Sequence, residues 1–444
     1  MAFLAVRPLD QFVRIEIRSS LLLLAATAAA LVWANSAWMA SYEVLWATNL
    51  SVQVGENTLV KDLRHWVNDG LMTLFFLVSG LEMSREASLS GRRDWLAGVV
   101  PAFGVLGGMV LAALLYLTIT VGGPGARGWP IVMATDLALV LGMLAAVRRR
   151  CPLQLHAFTF VLALVGNVAV MALLWLLYAE PVNLVASALA LGLLAAIAVV
   201  RLLRILRGFV YLVVGVALWA AMEASGLHPA VMGVLLGVVL TRFPPPPTGT
   251  AIDADHTWLL ETDLTAAGTT DEARAPSSPR GPSQRVMTLL HPWSSYLVLP
   301  LFALANAGVT LDRDLLARAV GSSITLGVLL GLVAGRLLGT LMATDRAVRA
   351  GLGALPRLVS RQQLAAAAAA TGIGFTMALF VADVVLLDQL AQEEAKVGIL
   401  VASATAAVLA WLLFNVPLRS TCGDRQPGGA EGTAGGPPEG RRGT

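Results

Sequence analysis

Long apolar runs dominate the chain and recur along its length. Stretches of the roughly 20 residues that a helix needs to cross a bilayer begin near Ile17, Trp66, Leu96, Trp129, Leu155, Leu184, Phe209, Leu227, Leu290, Ser322, Gln362 and Glu394. Twelve such runs predict an all-α polytopic membrane protein with twelve transmembrane helices. The first, residues 19–34, follows Arg7, Arg14 and Arg18. It reads as a membrane helix and not as a cleaved signal peptide, because the chain after it is itself apolar. Residues 51–60 alternate around Gly55-Glu56-Asn57 and predict a short external hairpin.

Two segments break the pattern. Residues 243–286 hold Pro244 to Pro247, six acids and a Ser/Pro/Gly run, a composition that cannot bury enough apolar area to fold alone. They read as a flexible cytoplasmic loop inside a twelve-helix domain, 1–420. Residues 421–444, rich in Gly, Pro and Glu, read as a disordered cytoplasmic tail.

The basic residues give the chain its direction. With the N-terminus placed inside, 24 of the 31 lysines and arginines fall on the cytoplasmic side of the runs, 6 fall outside, and Arg336 lies within a run. A missed or invented helix would invert this bias downstream of the error, so the count supports both the twelve runs and cytoplasmic termini. Composition adds exclusions. At 57% hydrophobic and 13% charged residues, the chain cannot present a water-compatible surface, which argues against soluble enzymes and nucleic-acid binders and places it in the lipid bilayer. Cys151 and Cys422 are its only cysteines, so neither a disulfide framework nor a cysteine metal site is expected. His156, His228 and His291 stand singly in the sequence, and no metal or cofactor site is read from them.

Polar groups inside apolar runs are costly and therefore informative. Run 2 holds Asn68-Asp69, run 4 holds Ala134-Thr135-Asp136, run 5 holds Gly166-Asn167, run 10 holds Arg336, and run 11 holds Gly372-Ile373-Gly374-Phe375-Thr376. The interruptions in runs 4 and 11 predict helices that unwind near the middle of the membrane. Unwound backbone survives there only where protein or a cavity covers it, and paired broken helices point to an ion site. Glycines that merely let helices pack closely are the plainer alternative. Arg336, alone in its run, is costly to bury without a partner. Asp69 is a further titratable group, with a packing hydrogen bond as its plainer role. Glu82, followed by Arg85 and Glu86, sits at the cytoplasmic end of run 2, where a solvated helix end is the plain reading and focusing of cations by acids the functional one.

These strings, with Trp66-Val67-Asn68-Asp69-Gly70-Leu71-Met72, Phe75-Phe76-Leu77-Val78-Ser79-Gly80-Leu81-Glu82, His291-Pro292-Trp293 and Pro300-Leu301-Phe302-Ala303 with Asn306-Ala307-Gly308-Val309, resemble NhaA-type sodium/proton antiporters in order and spacing from about residue 10 to 419. The resemblance implies inverted-topology repeats, helices 4 and 11 crossing as broken helices, a homodimer joined partly through the hairpin, and exchange of Na+ or Li+ for protons across the cytoplasmic (inner) membrane. It places the ion path at Thr135, Asp136, Gly166, Asn167, Arg336, Gly372, Gly374 and Thr376, with Asp69 and Glu82 as proton or funnel residues.

The departures are chemical. Where the family carries two adjacent aspartates that bind sodium and exchange protons, this chain has Gly166 and Asn167, neither of which titrates. The family's lysine in run 10 is Arg336, which stays protonated, and Met287 and Thr288 replace residues linked to pH sensing. Asp136 is then the remaining candidate for coupling. The resemblance sets runs 4 and 10 near each other, which implies that Asp136 pairs with Arg336 and stays ionised; a free, titrating Asp136 is the alternative. Two alternatives stay open: transport of another ion, such as a small anion near Arg336, and a non-transporting scaffold.

Overall fold

The computed structural model describes residues 7–54, 57–89, 95–147, 153–178, 183–202, 208–226, 228–241, 282–353 and 359–415. Apolar sequence without water to satisfy its backbone must bond internally, and nearly every run is accordingly helical. Five helical spans meet both length and apolarity for a membrane crossing among the described residues: 17–34, 99–119, 158–177, 323–349 and 389–415. Counting each of two bent pairs as one crossing raises the number to seven. The runs from Leu184, Phe209 and Leu227 yield shorter apolar stretches, Leu184–Val200, Val213–Ser225 and Pro229–Leu240. Run 2 opens with a π-helical turn, Trp66–Leu71, and run 9 is divided by another, Ser294–Val298. Polar residues and prolines at these points break the continuous apolar helix that the sequence pattern alone suggests.

The hairpin forms as expected. Strands β1 (Asn49–Val54) and β2 (Asn57–Asp62) pair antiparallel, with Val54 opposite Asn57 and Asn49 opposite Asp62. One expectation is corrected at the long loop: Pro282 starts a helix, Pro282–Trp293, inside the interval expected to be irregular. Proline at a first helical position loses no hydrogen bond, so it begins helices readily. The rest of that loop through residue 281, the tail 421–444, Cys151 and Cys422 lie outside the described residues.

Two close helix pairs organise the bundle. Met72–Leu89 lies against Pro229–Thr241, and Trp95–Ile119 against Arg336–Arg349. Both contacts run through glycines. A Cβ on Gly237 would lie 2.6 Å from the Leu77 carbonyl oxygen, and one on Gly339 would lie 2.3 Å from that of Gly107, so backbone meets backbone. Phe380 packs centrally between Phe76 (ring centroids 5.3 Å apart) and Phe302 (6.4 Å). Many large apolar side chains face outward, Leu176, Val185, Val320 and Leu387 among them, as suits a chain whose solvent is lipid.

Candidate functional site

Runs 4 and 11 both break, and the breaks touch. Gly125–Met133 and Leu137–Ala146 are bent by 42° at their junction, and Arg361–Ala370 and Phe375–Val385 by 43°. At the first break the backbone is extended through Ala134 and Asp136. The Asp136 amide donates to the Ile373 carbonyl at 2.7 Å, and Thr135 Oγ1 donates to the Thr371 carbonyl at 2.9 Å. The second break needs glycine for clearance, since a Cβ on Gly372 would stand 2.4 Å from the Leu332 carbonyl oxygen.

Asp136 is 1% exposed, yet both carboxylate oxygens are well supplied. Oδ1 accepts from the Leu139 amide at 3.0 Å, making Asp136 the N-cap of its own helix. Oδ2 accepts from the Thr376 amide at 2.9 Å and from Thr376 Oγ1 at 2.5 Å. Thr376 is the second residue of Phe375–Val385, so two helix N-termini aim their unpaired amides at one carboxylate. That is the polarity that stabilises negative charge. Asn167 joins this group, its Oδ1 accepting from the Thr135 amide at 3.3 Å.

Arg336, also 1% exposed, reaches the same place from run 10. Its Nε donates to the Thr371 carbonyl at 3.3 Å and its Nη2 to Thr135 Oγ1. The expected ion pair with Asp136 is absent: no carboxylate among the described residues lies at ion-pair distance from this guanidinium. The reason is local. Helix amides and a threonine hydroxyl already satisfy Asp136, while Thr135 and a freed carbonyl take up the arginine. Gly166 lies beside it, with its Cβ position 3.8 Å from Arg336 Nη2. The structure therefore gathers Thr135, Asp136, Gly166, Asn167, Arg336, Gly372, Gly374 and Thr376 around the two breaks.

Asp69 and Glu82 lie apart from this group. Asp69 faces two histidines, His65 Nε2 at 2.8 Å and His228 Nε2 at 3.4 Å, while Lys61 bonds Glu223 at 2.6 Å nearby. Lys61, His65, Asp69 and Glu223, with Trp66 and Trp219, which stack at 5.5 Å, line a small pocket. Glu82 Oε1 faces His291 Nε2 at 3.5 Å. His228 and His291, single in the sequence, are thus each set against an acid. Their partners are distant in the chain, and only the i,i+4 spacing of His65 and Asp69 was available as a signal. His65, Asp69 and Glu223 place ligand atoms within 4.8 Å of one another, a spacing that can hold a metal ion. A third network, beside the Asp69 cluster, joins Asn68 Nδ2 to Asp383 Oδ2 at 2.8 Å and Asn306 Nδ2 to Asn68 Oδ1 at 2.7 Å.

The sequence model of the family described as Na+/H+ antiporter 1 matches residues 10–414. The chain is 38% identical over 417 residues to the protein named Na(+)/H(+) antiporter NhaA 3 of Frankia alni, covering 94% of this chain and 89% of that one. It is 36% identical over 395 residues to Na(+)/H(+) antiporter NhaA 1 of Mycobacterium sp. (strain KMS), covering 89% of this chain and 64% of the relative. It is 39% identical over 412 residues to Na(+)/H(+) antiporter NhaA 1 of Salinispora arenicola, covering 93% and 63%. The chain thus spans slightly less than two thirds of the length of these last two relatives.

Proposed function

The chain belongs to the Na+/H+ antiporter 1 family, and from that premise we propose that it exchanges Na+ or Li+ for protons across the cytoplasmic membrane, with Asp136 as the coupling group. It is a multi-pass membrane protein of a transporter family, not an enzyme family. The observation that carries the reading is the meeting of two helix breaks on one buried carboxylate. A carboxylate can hold a proton or help hold a cation, and the two occupants compete for the same charge. Competition of this kind is what couples their movements.

Around Asp136 the breaks supply neutral oxygen: Thr135 Oγ1, Thr376 Oγ1, Asn167 Oδ1 and the carbonyls of Thr371 and Ile373. Hard monovalent cations favour such donors. When the ion enters, Asp136 releases its proton and Thr376 yields an oxygen to the ion; when the ion leaves, the proton returns. One titratable group at the site carries one proton in each cycle. Arg336 fixes the cavity wall through Thr135 and Thr371 and takes no part in proton transfer, because guanidinium does not deprotonate. Glu82 serves as a cytoplasmic funnel residue. The isolated two-stranded ribbon β1–β2 supports a homodimer, since a lone hairpin is marginal in water and gains from an edge partner.

Proteoliposomes holding the purified chain test this reading. A sodium pulse should shift the internal pH, and Asp136→Asn should abolish the response. Undiminished exchange in that variant overturns the assignment of Asp136.

A further inference from the structure

Among the fully buried side chains, Arg336 is the largest, and it carries a full positive charge at any physiological pH. Removing a charge from water costs several kcal/mol unless a counter-charge accompanies it. None lies within reach among the described residues. Nε and Nη2 meet only neutral oxygens, of Thr371 and Thr135. Nη1 is buried without an acceptor. No carboxylate among the described residues pairs with the group, and the oxygens of Asp136 are turned to Leu139 and Thr376.

Beside the guanidinium, residue 166 has no side chain. A Cβ there would meet Val105 Cγ1 at 3.5 Å and Arg336 Nη2 at 3.8 Å, which are ordinary contact distances, so residue 166 presents no side-chain atom to the guanidinium on this flank. A water molecule could accept from Nη1 but would bring no charge. We propose that one small monovalent anion of halide size binds against the terminal nitrogens of Arg336 beside Gly166, supplying the counter-charge that no described residue provides. The anion is a resident counter-ion, and its binding does not depend on whether the protein exchanges cations.

The test is a binding measurement, separate from transport. The purified full-length chain in detergent is moved from sodium gluconate, whose anion is too large, into increasing sodium chloride or bromide at constant ionic strength. Melting temperature should rise with halide and saturate, as mass action requires of a ligand that binds only the folded state. Equilibrium dialysis with radioactive chloride should show saturable binding approaching one per chain. Arg336→Gln should lose both effects. Gly166→Asp, which places a carboxylate on the same flank, should lose them while keeping the arginine. A wild-type melting temperature indifferent to halide, or halide dependence retained in Arg336→Gln, overturns the proposal. Should either variant fail to fold, chloride binding by the wild-type chain decides alone, and its absence overturns the proposal.

Discussion

A single ring nitrogen, Nε2 of His65, lies 2.8 Å from Asp69 Oδ2 and 2.9 Å from Lys61 Nζ. It can donate to the carboxylate when protonated or accept from the ammonium when not, but it cannot do both. The hydrogen bond to Asp69 is the larger influence and raises the imidazole above its ordinary 6.5, against the opposing effect of burial. A raised value means that protonated His65 stabilises the fold fully below pH 6.5, and that this contribution fades as pH rises through the folded-state value. Wild type should therefore exceed His65→Gln in melting temperature at pH 6, with the gap closing as pH is raised. A gap that widens with pH would show that the neutral ring is the stabilising form. At this scale the sequence exposed Asp136, Arg336 and the glycines of run 11, because polar groups stand out against an apolar background. It misassigned the partner of Asp136, because two of the competing donors are backbone amides, which leave no trace in residue identity, and the third, Thr376 Oγ1, comes from far along the chain. It also left His228 and His291 single, since Asp69 and Glu82 reach them only through the fold.

Helix pairs test the packing. Gly339 and Gly107 let Trp95–Ile119 and Arg336–Arg349 touch at the backbone, and a methyl group on Gly339 would lie 2.3 Å from one carbonyl oxygen and 2.9 Å from the Gly108 Cα. Backbone cannot yield as a flexible side chain does, so Gly339→Ala should cost about 1–3 kcal/mol of stability, the usual range for overpacking. Gly192, with open space around it, is the matched control: Gly192→Ala should be neutral or slightly stabilising, through its better helix propensity. Unfolding of both variants in detergent provides the comparison, and equal effects would dismiss the backbone contact. The elements themselves were legible to different degrees. Apolar runs and the alternation around Gly55-Glu56-Asn57 marked the helices and the hairpin, because periodicity and length are local properties. The π-helical turns at Trp66–Leu71, Ser294–Val298 and Gly331–Gly335 were not legible. An extra residue per turn is tolerated where neighbouring helices accept the displaced side chains, and those neighbours come from elsewhere in the chain.

The whole molecule carries two surface patterns that must agree: an apolar exterior and an uneven division of basic residues. Exposed Leu24, Val110, Leu176, Val199 and Val408 come from separate helices and would be a solubility liability in water, whereas lipid removes the penalty. The division of 24 basic residues to 6 then predicts which of the two orientations that a lipid belt permits is adopted, namely the hairpin outside and both termini inside. Chemical labelling separates these orientations. Ser51 is exposed on β1, so Ser51→Cys should react with a membrane-impermeant maleimide added to intact cells. The native Cys151 and Cys422 should react only after the membrane is opened, since both fall in segments assigned to the cytoplasm. The opposite pattern, native cysteines labelled in intact cells and Cys at 51 protected, would reverse the orientation. It would also place the Glu82 end of the protein outside, removing Glu82 from any role in gathering cytoplasmic cations.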